Sequence, residues 1–311
     1  MSRVAFVTSG GKGLGHATVR CLLRAGFDVA FTYGKSRKQA EELVAEAESL
    51  GRRAMMIETD LFSRAETVAA VHKAIQAFDR IDALVHNFGP FVFERIPLSD
   101  YSDESWQKLL DGNLSNFLWI YREVLPGMRS RGFGRIVTIG FAGAKDAVGW
   151  RYRAPYAAIK AGLASLTQSI AREERQNGIT ANMVCPGDIR GANKSKLIEE
   201  VFESDNPLAR PPVGEDVARV IAFLCADESA QINGTITEVT GGYDILAYDD
   251  GTDVVTETIQ YIEGDKVWVV PWQKTAHIEE VIKIPNRLTT YKLKSAEGMS
   301  GQFTAYQLQP V

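Results

Sequence analysis

The chain has 311 residues, 45% hydrophobic and 24% charged, with a formal net charge of −4. This is ordinary globular composition, with room for one large domain or a large and a small one. Its mildly acidic balance argues against nucleic acid or an anionic membrane as the main partner.

Cys21, Cys185 and Cys225 are an odd number without CxxC spacing, so they read as small core residues in a reducing compartment. The opening run Met1 to Thr8 is too short for a secretory apolar region, and no run approaches a membrane span, so a cytoplasmic protein is expected.

Val4 to Thr8 reads as a buried strand, His16 to Ala25 as a helix, Phe27 to Tyr33 as a strand and Arg37 to Leu50 as a helix. A strand at Ala54 to Glu58, a helix at Ala65 to Phe78 and a strand at Ile81 to His86 follow. One helical stretch runs from Trp106 to Ser130 and leads into the strand Arg135 to Ile139. A helix at Tyr156 to Gln176, a strand at Ile179 to Val184, a helix at Asp216 to Ala226 and a strand at Thr235 to Val239 complete the alternation. Continuous apolar strands between helices imply a doubly wound α/β domain, a parallel sheet covered on both faces with its ligand site outside the carboxyl ends of the strands.

After about Tyr248 helical periodicity disappears. Val254 to Ile262, Lys266 to Val270, Ile278 to Ile284, Thr289 to Leu293 and Gln302 to Leu308 read as strands, with turn signals at Glu263-Gly264-Asp265, Pro285-Asn286 and Gly298 to Gly301. Residues 1–247 are therefore expected to form the α/β domain. Residues 248–311, after a linker at Asp249-Asp250-Gly251, are expected to form a small antiparallel sheet or barrel. The tail has no cluster of charged or metal-ligating residues; protein interaction, oligomer packing and a lid all suit it. Trp268 and Trp272 are read as core.

Thr8-Ser9-Gly10-Gly11-Lys12-Gly13-Leu14-Gly15 joins the first strand to the first helix. Glycines there let backbone approach a pyrophosphate, and the helix start supplies N–H groups and partial positive charge. The second strand ends Phe31-Thr32-Tyr33, and no carboxylate occurs between Asp28 and Glu41 to grip a ribose 2′-hydroxyl. Lys12, Lys35, Ser36, Arg37 and Lys38 instead suit a 2′-phosphate, so NADPH is the expected cofactor; the alternative is a solvated helix start.

Tyr156 and Lys160 stand one turn apart on a predicted helix. A phenol with a pKa of about 10 exchanges protons poorly at neutral pH, and a neighbouring ammonium is expected to lower that value.

With these motifs the chain, from about Arg3 to Tyr243, resembles the short-chain dehydrogenase/reductase family, especially its bacterial 3-oxoacyl-carrier-protein-reductase-like members. Thr8 to Gly15 is similar to the family's TGxxxGxG loop, with Ser9 in place of a glycine. Asp60, followed by Leu61, falls where the family places an Asp near the adenine. His86-Asn87-Phe88-Gly89 occupies its NNAG segment, matching at Asn87 and Gly89. The resemblance implies that Asn113 holds a relay water, that Tyr156 is the catalytic acid and that Lys160 binds the nicotinamide ribose. It also implies that Pro186, Gly187 and Ile189 hold the carboxamide. Gly191 stands where many members carry Thr, and Thr240-Gly241-Gly242 resembles the end of the last strand. Family members of this kind are commonly homodimers or homotetramers, and the implied substrate is a small, carrier-bound or peptide-bound carbonyl.

The family's usual Ser after the fifth strand is Phe141 here, 15 positions before Tyr156, and no Ser occurs from Arg131 through Pro155. Three readings follow. Tyr152 or a backbone N–H near Gly140 to Gly143 takes over the donor role, the substrate brings its own polar group, or the domain binds cofactor as an interaction or sensor protein with little turnover. Tyr152 is the candidate substitute, its alternative being a packing aromatic beside Trp150. Phe91, Phe93 and Trp150 are candidates for an apolar pocket, and Arg151 and Arg153 for an anionic substrate.

Overall fold

The computed structural model describes residues 2–201, 210–242, 246, 261, 263–269, 272, 274–282, 290–304 and 308–310. Seven strands, β1 (Val4–Val7), β2 (Asp28–Tyr33), β3 (Ala54–Glu58), β4 (Ala83–His86), β5 (Gly134–Ile139), β6 (Ile179–Pro186) and β7 (Ile236–Val239), form one sheet in the order β3-β2-β1-β4-β5-β6-β7. Every pairing in it is parallel. The order reverses between β1 and β4, which opens a crevice at their carboxyl ends.

Helices α1 (Gly13–Arg24), α2 (Arg37–Ser49), α3 (Arg64–Phe78), α4 (Asp103–Leu110), α5 (Asn116–Arg131), α6 (Ala154–Glu173) and α7 (Gly214–Cys225) cover the two faces. β1, β2, β4 and β5 are buried along their whole length, their mainly apolar runs carrying the buried polar residues Asp28, Thr32, His86, Arg135 and Thr138 with them. Cys21, Cys185 and Cys225 are buried and free, and burial pushes Cys185 and Cys225 to about 12.

Two helix expectations change. The first helix begins at Gly13, inside the glycine loop and three residues before the expected His16. The single helix expected over 106–130 is α4 and α5 joined by a π-helical turn at Asp111–Ser115, whose wider turn carries Asn113.

Arginines converge on one buried carboxylate just before β4. Asp82 accepts from the Val4 N–H at 2.9 Å and from Arg80 Nε and Nη2 at 2.7 and 2.8 Å, with Arg131 Nε at 3.4 Å.

The chain divides into two compact units, Met1–Ile198 with Pro212–Ile245, and Glu199–Pro211 with Leu246–Val311. In the second unit β8 (Lys266–Val269), β9 (Lys274–Ile282), β10 (Thr290–Lys294), β11 (Ser300–Thr304) and β12 (Leu308–Pro310) form an antiparallel sheet in the order β11-β10-β9-β8-β12. Val267, Val269, Ala276, Ile278, Tyr291, Leu293, Phe303 and Leu308 make its core. The run expected at 302–308 is two strands, and β9 starts earlier than expected. Trp272 packs edge-on against Phe303 at 4.7 Å, whereas Trp268 alternates with the buried Val267 and Val269 and is only half-buried. The expected run 254–262, apart from Tyr261, lies outside the described residues, as do the linker and Pro285-Asn286.

Among the described residues no helix is long and apolar enough to cross a membrane, and no group of three His, Cys, Asp or Glu is placed to hold a metal.

Removing the Asp82 carboxylate takes the shared acceptor from the half-buried Arg80 and Arg131 and from the Val4 N–H. Asp82→Ala is expected to cost about 1–3 kcal/mol of unfolding free energy, measured by chemical denaturation.

Candidate active site

β1 and β4 are fastened together at the crevice. The Thr8 hydroxyl accepts from the Asn87 and Phe88 N–H groups at 2.9 and 2.8 Å, and Asn87 Nδ2 donates to the Thr8 and Ser9 carbonyls, each at 3.2 Å. The loop is pinned to β2 from the other side. Ser9 N–H reaches Thr32 Oγ1 at 2.9 Å, and Gly10 N–H reaches the Thr32 carbonyl at 2.7 Å. Ser9 keeps a left-handed φ of 53° where the resemblance places a glycine.

Gly15 is obligatory: a Cβ there would lie 2.1 Å from the Ser9 carbonyl oxygen. Gly11 lies against Tyr33 and Ser36, so the loop hugs the end of β2. Gly13, Leu14 and Gly15 form the first turn of α1, and Gly13 N–H donates to Ser195 Oγ at 2.9 Å. Ser195, in the turn Gly191–Ser195, brings a hydroxyl to the helix start that sequence reasoning missed.

At the outer end of β2, Tyr33 is buried, and Lys12, Lys35, Arg37 and Lys38 are exposed. Tyr33 O–H donates to Glu58 Oε2 at 3.2 Å, and Arg37 Nη2 donates to the same oxygen at 3.3 Å. Glu58 was also missed. Its only signal is that the two neighbouring strands end at Tyr33 and Glu58, which the register pairs. Asp60 is exposed and accepts from Phe62 N–H at 3.0 Å, and the buried Leu61 accepts Asn116 Nδ2 through its carbonyl at 2.6 Å.

The second cluster lies at the ends of β4 and β5. Lys160 is buried on α6, and its ammonium donates to the Ile139 carbonyl at 2.6 Å. A side chain on Gly89 would begin 2.3 Å from Asn113 Oδ1 and 3.3 Å from Lys160 Nζ, so these two groups converge on one point that only glycine leaves open. Asn113 Nδ2 donates to the Pro90 and Leu109 carbonyls, each at 3.0 Å, while its buried Oδ1 has no partner among the described residues. Burial lowers Lys160 to about 8.

The same burial pushes the Tyr156 phenol above its ordinary range, with Cys185 adding in the same direction. This corrects the expected lowering by Lys160: the ammonium stands 5.7 Å from the Tyr156 ring centre and is directed at a carbonyl.

Phe141 is buried and stacks on Trp150 at 5.4 Å, and Phe91 meets Tyr156 edge-on at 4.9 Å. Arg153 Nη2 donates to the Phe93 carbonyl at 3.0 Å, with its guanidinium over Phe91 and Trp150. Tyr152 is not among the rings packed about Tyr156. It adopts a left-handed φ of 62°, its ring lies beneath Arg151 and its carbonyl accepts the Tyr101 hydroxyl at 3.3 Å. Of the amides considered as substitutes, Gly140 N–H is committed to the Val184 carbonyl and Gly143 N–H to Glu238 Oε1.

Gly187 N–H bonds the Val239 carbonyl at 2.9 Å, and Ile189 N–H turns back to the Gly187 carbonyl at 3.0 Å. This fixes a tight turn at Gly187–Ile189 directly after β6, with Ile189 buried. The loop, the end of β2 and the buried Asn113–Lys160 pair fit a nicotinamide dinucleotide: a glycine-built approach, the N-terminus of α1 at the loop and an orphaned acceptor beside a buried ammonium.

A family model described as "Enoyl-(Acyl carrier protein) reductase" matches residues 9–244. YtkK of Bacillus subtilis is 42% identical over 248 residues, covering 78% of this chain and 97% of that protein. The 3-oxoacyl-[acyl-carrier-protein] reductase FabG of Staphylococcus aureus is 31% identical over 245 residues, covering 78% and 98%. A solved blue fluorescent protein from a metagenomic library, in complex with NADPH, superimposes with a TM-score of 0.67 at 32% identity, covering 77% of this chain and 97% of that one. A parallel dinucleotide-binding sheet carrying a Tyr–Lys pair thus has its relatives throughout one class of oxidoreductases. The chain belongs to the short-chain dehydrogenase/reductase family.

His86 sits fully buried beside this site. Its Nε2 faces Asn116 Oδ1 at 3.2 Å, and Asn116 Nδ2 is spent on Leu61 and Thr67, so Nε2 carries the proton. Burial, helped by Lys160, lowers His86 from 6.5 to about 3. The unfolded chain binds a proton there below pH 6.5 that the folded one refuses until about pH 3. Stability is therefore expected to fall with pH across that window, by up to about 1.4 kcal/mol per unit. Denaturation midpoints at pH 6.5 and 4.5 are expected to differ less in His86→Asn than in the natural chain.

Proposed function

We propose that the protein is a cytoplasmic, NADPH-preferring carbonyl reductase that converts a ketone or aldehyde, small or carrier-bound, to an alcohol. Residues 1–247 are its catalytic domain and 248–311 an accessory domain, and the protein works as a homodimer or homotetramer. The observation that carries this reading is the convergence of Lys160 Nζ and Asn113 Oδ1 on the space at Gly89, one helical turn from Tyr156.

When bound, the cofactor supplies hydride to the carbonyl carbon. Thr8 to Gly15 accommodates its pyrophosphate, with Asn87 and Gly89 lining the same crevice. Lys12, Lys35, Ser36 and Arg37 meet its 2′-phosphate beside Tyr33, Asp60 and Leu61 flank its adenine, and Pro186, Gly187 and Ile189 hold its carboxamide. NADPH is supported by the exposed bases at the end of β2 and by the bound NADPH of the structural relative.

Tyr156 gives its proton to the carbonyl oxygen as the carbon gains hydride, so hydride and proton together make the alcohol. A phenol raised by burial stays protonated at neutral pH, the form that reduction needs. Lys160 holds a positive charge beside the phenolate left behind and, with a water on Asn113 Oδ1, returns the proton.

A second reading, cofactor binding with little turnover, is favoured by the buried Phe141 ring standing at the usual Ser position. A panel of ketones and aldehydes with NADPH, followed by cofactor absorbance, separates the two. Turnover with any member supports the reductase, whereas tight NADPH binding with no turnover across the panel sinks it.

Tyr156→Phe is expected to lower turnover by about 10²–10⁴-fold while NADPH binding persists. The Lys160 ammonium is lost as pH rises through about 8, so the rate of carbonyl reduction is expected to fall above that value in a pH profile.

A further inference from the structure

The carboxylate that β2 lacks is supplied by its neighbour. Tyr33 is the last residue of β2, and the parallel register sets Glu58, the last residue of β3, beside it. Glu58 Oε2 accepts from both the Tyr33 hydroxyl at 3.2 Å and Arg37 Nη2 at 3.3 Å, and Arg37 Nη1 also lies 3.9 Å from Glu41 Oε1. Arg37 is the guanidinium that opens α2 directly after the β2 turn, where the cofactor's adenosine ribose is read in a doubly wound sheet.

From this arrangement we infer that Glu58 is a specificity-determining residue that restrains the preference for NADPH over NADH. The inference rests on the NADPH reading of the proposed function.

Glu58 acts on the two cofactors in opposite senses. A 2′-phosphate must share Arg37 with a carboxylate already bonded to it, and two anions on one guanidinium repel each other. For a dianion and a carboxylate a few ångströms apart in water the penalty is about tenfold in affinity. An unphosphorylated ribose meets no such penalty, and its 2′-hydroxyl finds in Glu58 the acceptor that an acidic residue at the end of β2 otherwise provides. The Tyr33 hydroxyl bond holds that acceptor in place, because the Tyr33 ring is itself buried and fixed. Glu58 and Arg37 are each 63% exposed on their side chains, so the pair is solvated and contributes little to folding; its removal is read in cofactor affinity and not in stability.

The test is the pair of dissociation constants for NADPH and NADH, measured by nucleotide fluorescence or calorimetry on the full chain, for the natural protein, Glu58→Gln and Arg37→Gln. Glu58→Gln keeps the side-chain length and a hydrogen-bond acceptor while removing the charge. Its ratio Kd(NADH)/Kd(NADPH) is expected to rise about tenfold over the natural protein's, with a smaller rise at high salt. Arg37→Gln is expected to lower the same ratio.

A rise below threefold in Glu58→Gln, or a fall, overturns the inference; a fall means that Glu58 serves NADPH by steadying Arg37. The natural protein's own ratio judges the NADPH reading separately. A ratio below one sinks that reading, while the quotient of Glu58→Gln over the natural chain still decides the role of Glu58.

Discussion

The Lys160 ammonium, buried and held by the Ile139 carbonyl at 2.6 Å, ties helix α6 to the end of strand β5, and the geometry of the site follows from that contact. A desolvated ammonium is tolerated only where a fixed acceptor meets it. The acceptor is fixed because the chain leaves β5 pressed against β6: a Cβ on Gly140 would lie 2.5 Å from Met183 Sδ and 2.7 Å from Cys185 Sγ. Any larger residue there would lift the end of β5 and move the Ile139 carbonyl. Tyr156, one turn before Lys160 on the same helix, takes its position from this anchorage, and Phe141 takes its own from the strand end that Gly140 allows.

The same logic of close approach governs the other half of the crevice. Thr8 spends its hydroxyl on two β4-side amides and Asn87 spends its amide on two β1-side carbonyls, so the strands at the switch point are joined beyond their ladder. His86 precedes Asn87 on β4 and is turned the other way, into the α5 side against Asn116 and Phe117. One short strand end thus braces the glycine loop through Asn87 and the helix behind Asn113 through His86. The π-helical turn at Asp111–Ser115 lets Asn113 face Gly89 while Asn116 faces His86, a division that a continuous α-helix would present three residues apart on nearly one face.

Most of the sheet was legible because its central strands are buried on both sides and are mainly apolar, a signal that does not depend on neighbours. The π turn was not, since one widened turn barely disturbs an averaged helical period. The start of α1 at Gly13 was hidden by the glycines that make the loop, because they carry no periodicity. Glu58 and Ser195 escaped for a different reason. Their roles depend on register and on a chain return of 182 residues from Gly13, and neither is a property of any local window. Tyr152 is drawn in as a donor by residue type alone, since it and Thr138 are the two hydroxyl side chains from Arg131 through Pro155, and residue type says nothing of where α6 starts. The helix begins only at Ala154, and Tyr152 precedes it with a left-handed backbone that turns the ring toward Arg151.

Phe141 and the segment that follows it pack as one unit. A serine at this point needs only a small covering loop, whereas a phenylalanine ring at the end of β5 presents a large apolar face that must be covered. The segment to Tyr156 covers it by returning Trp150 onto Phe141 with the rings 25° from parallel, and Arg153 then fastens that return to the β4 loop through the Phe93 carbonyl. Phe91 closes the other side against both Trp150 and Tyr156. Where the resemblance places a polar donor near Tyr156, the structure thus has an aromatic wall of Phe141, Trp150 and Phe91, braced by Arg153.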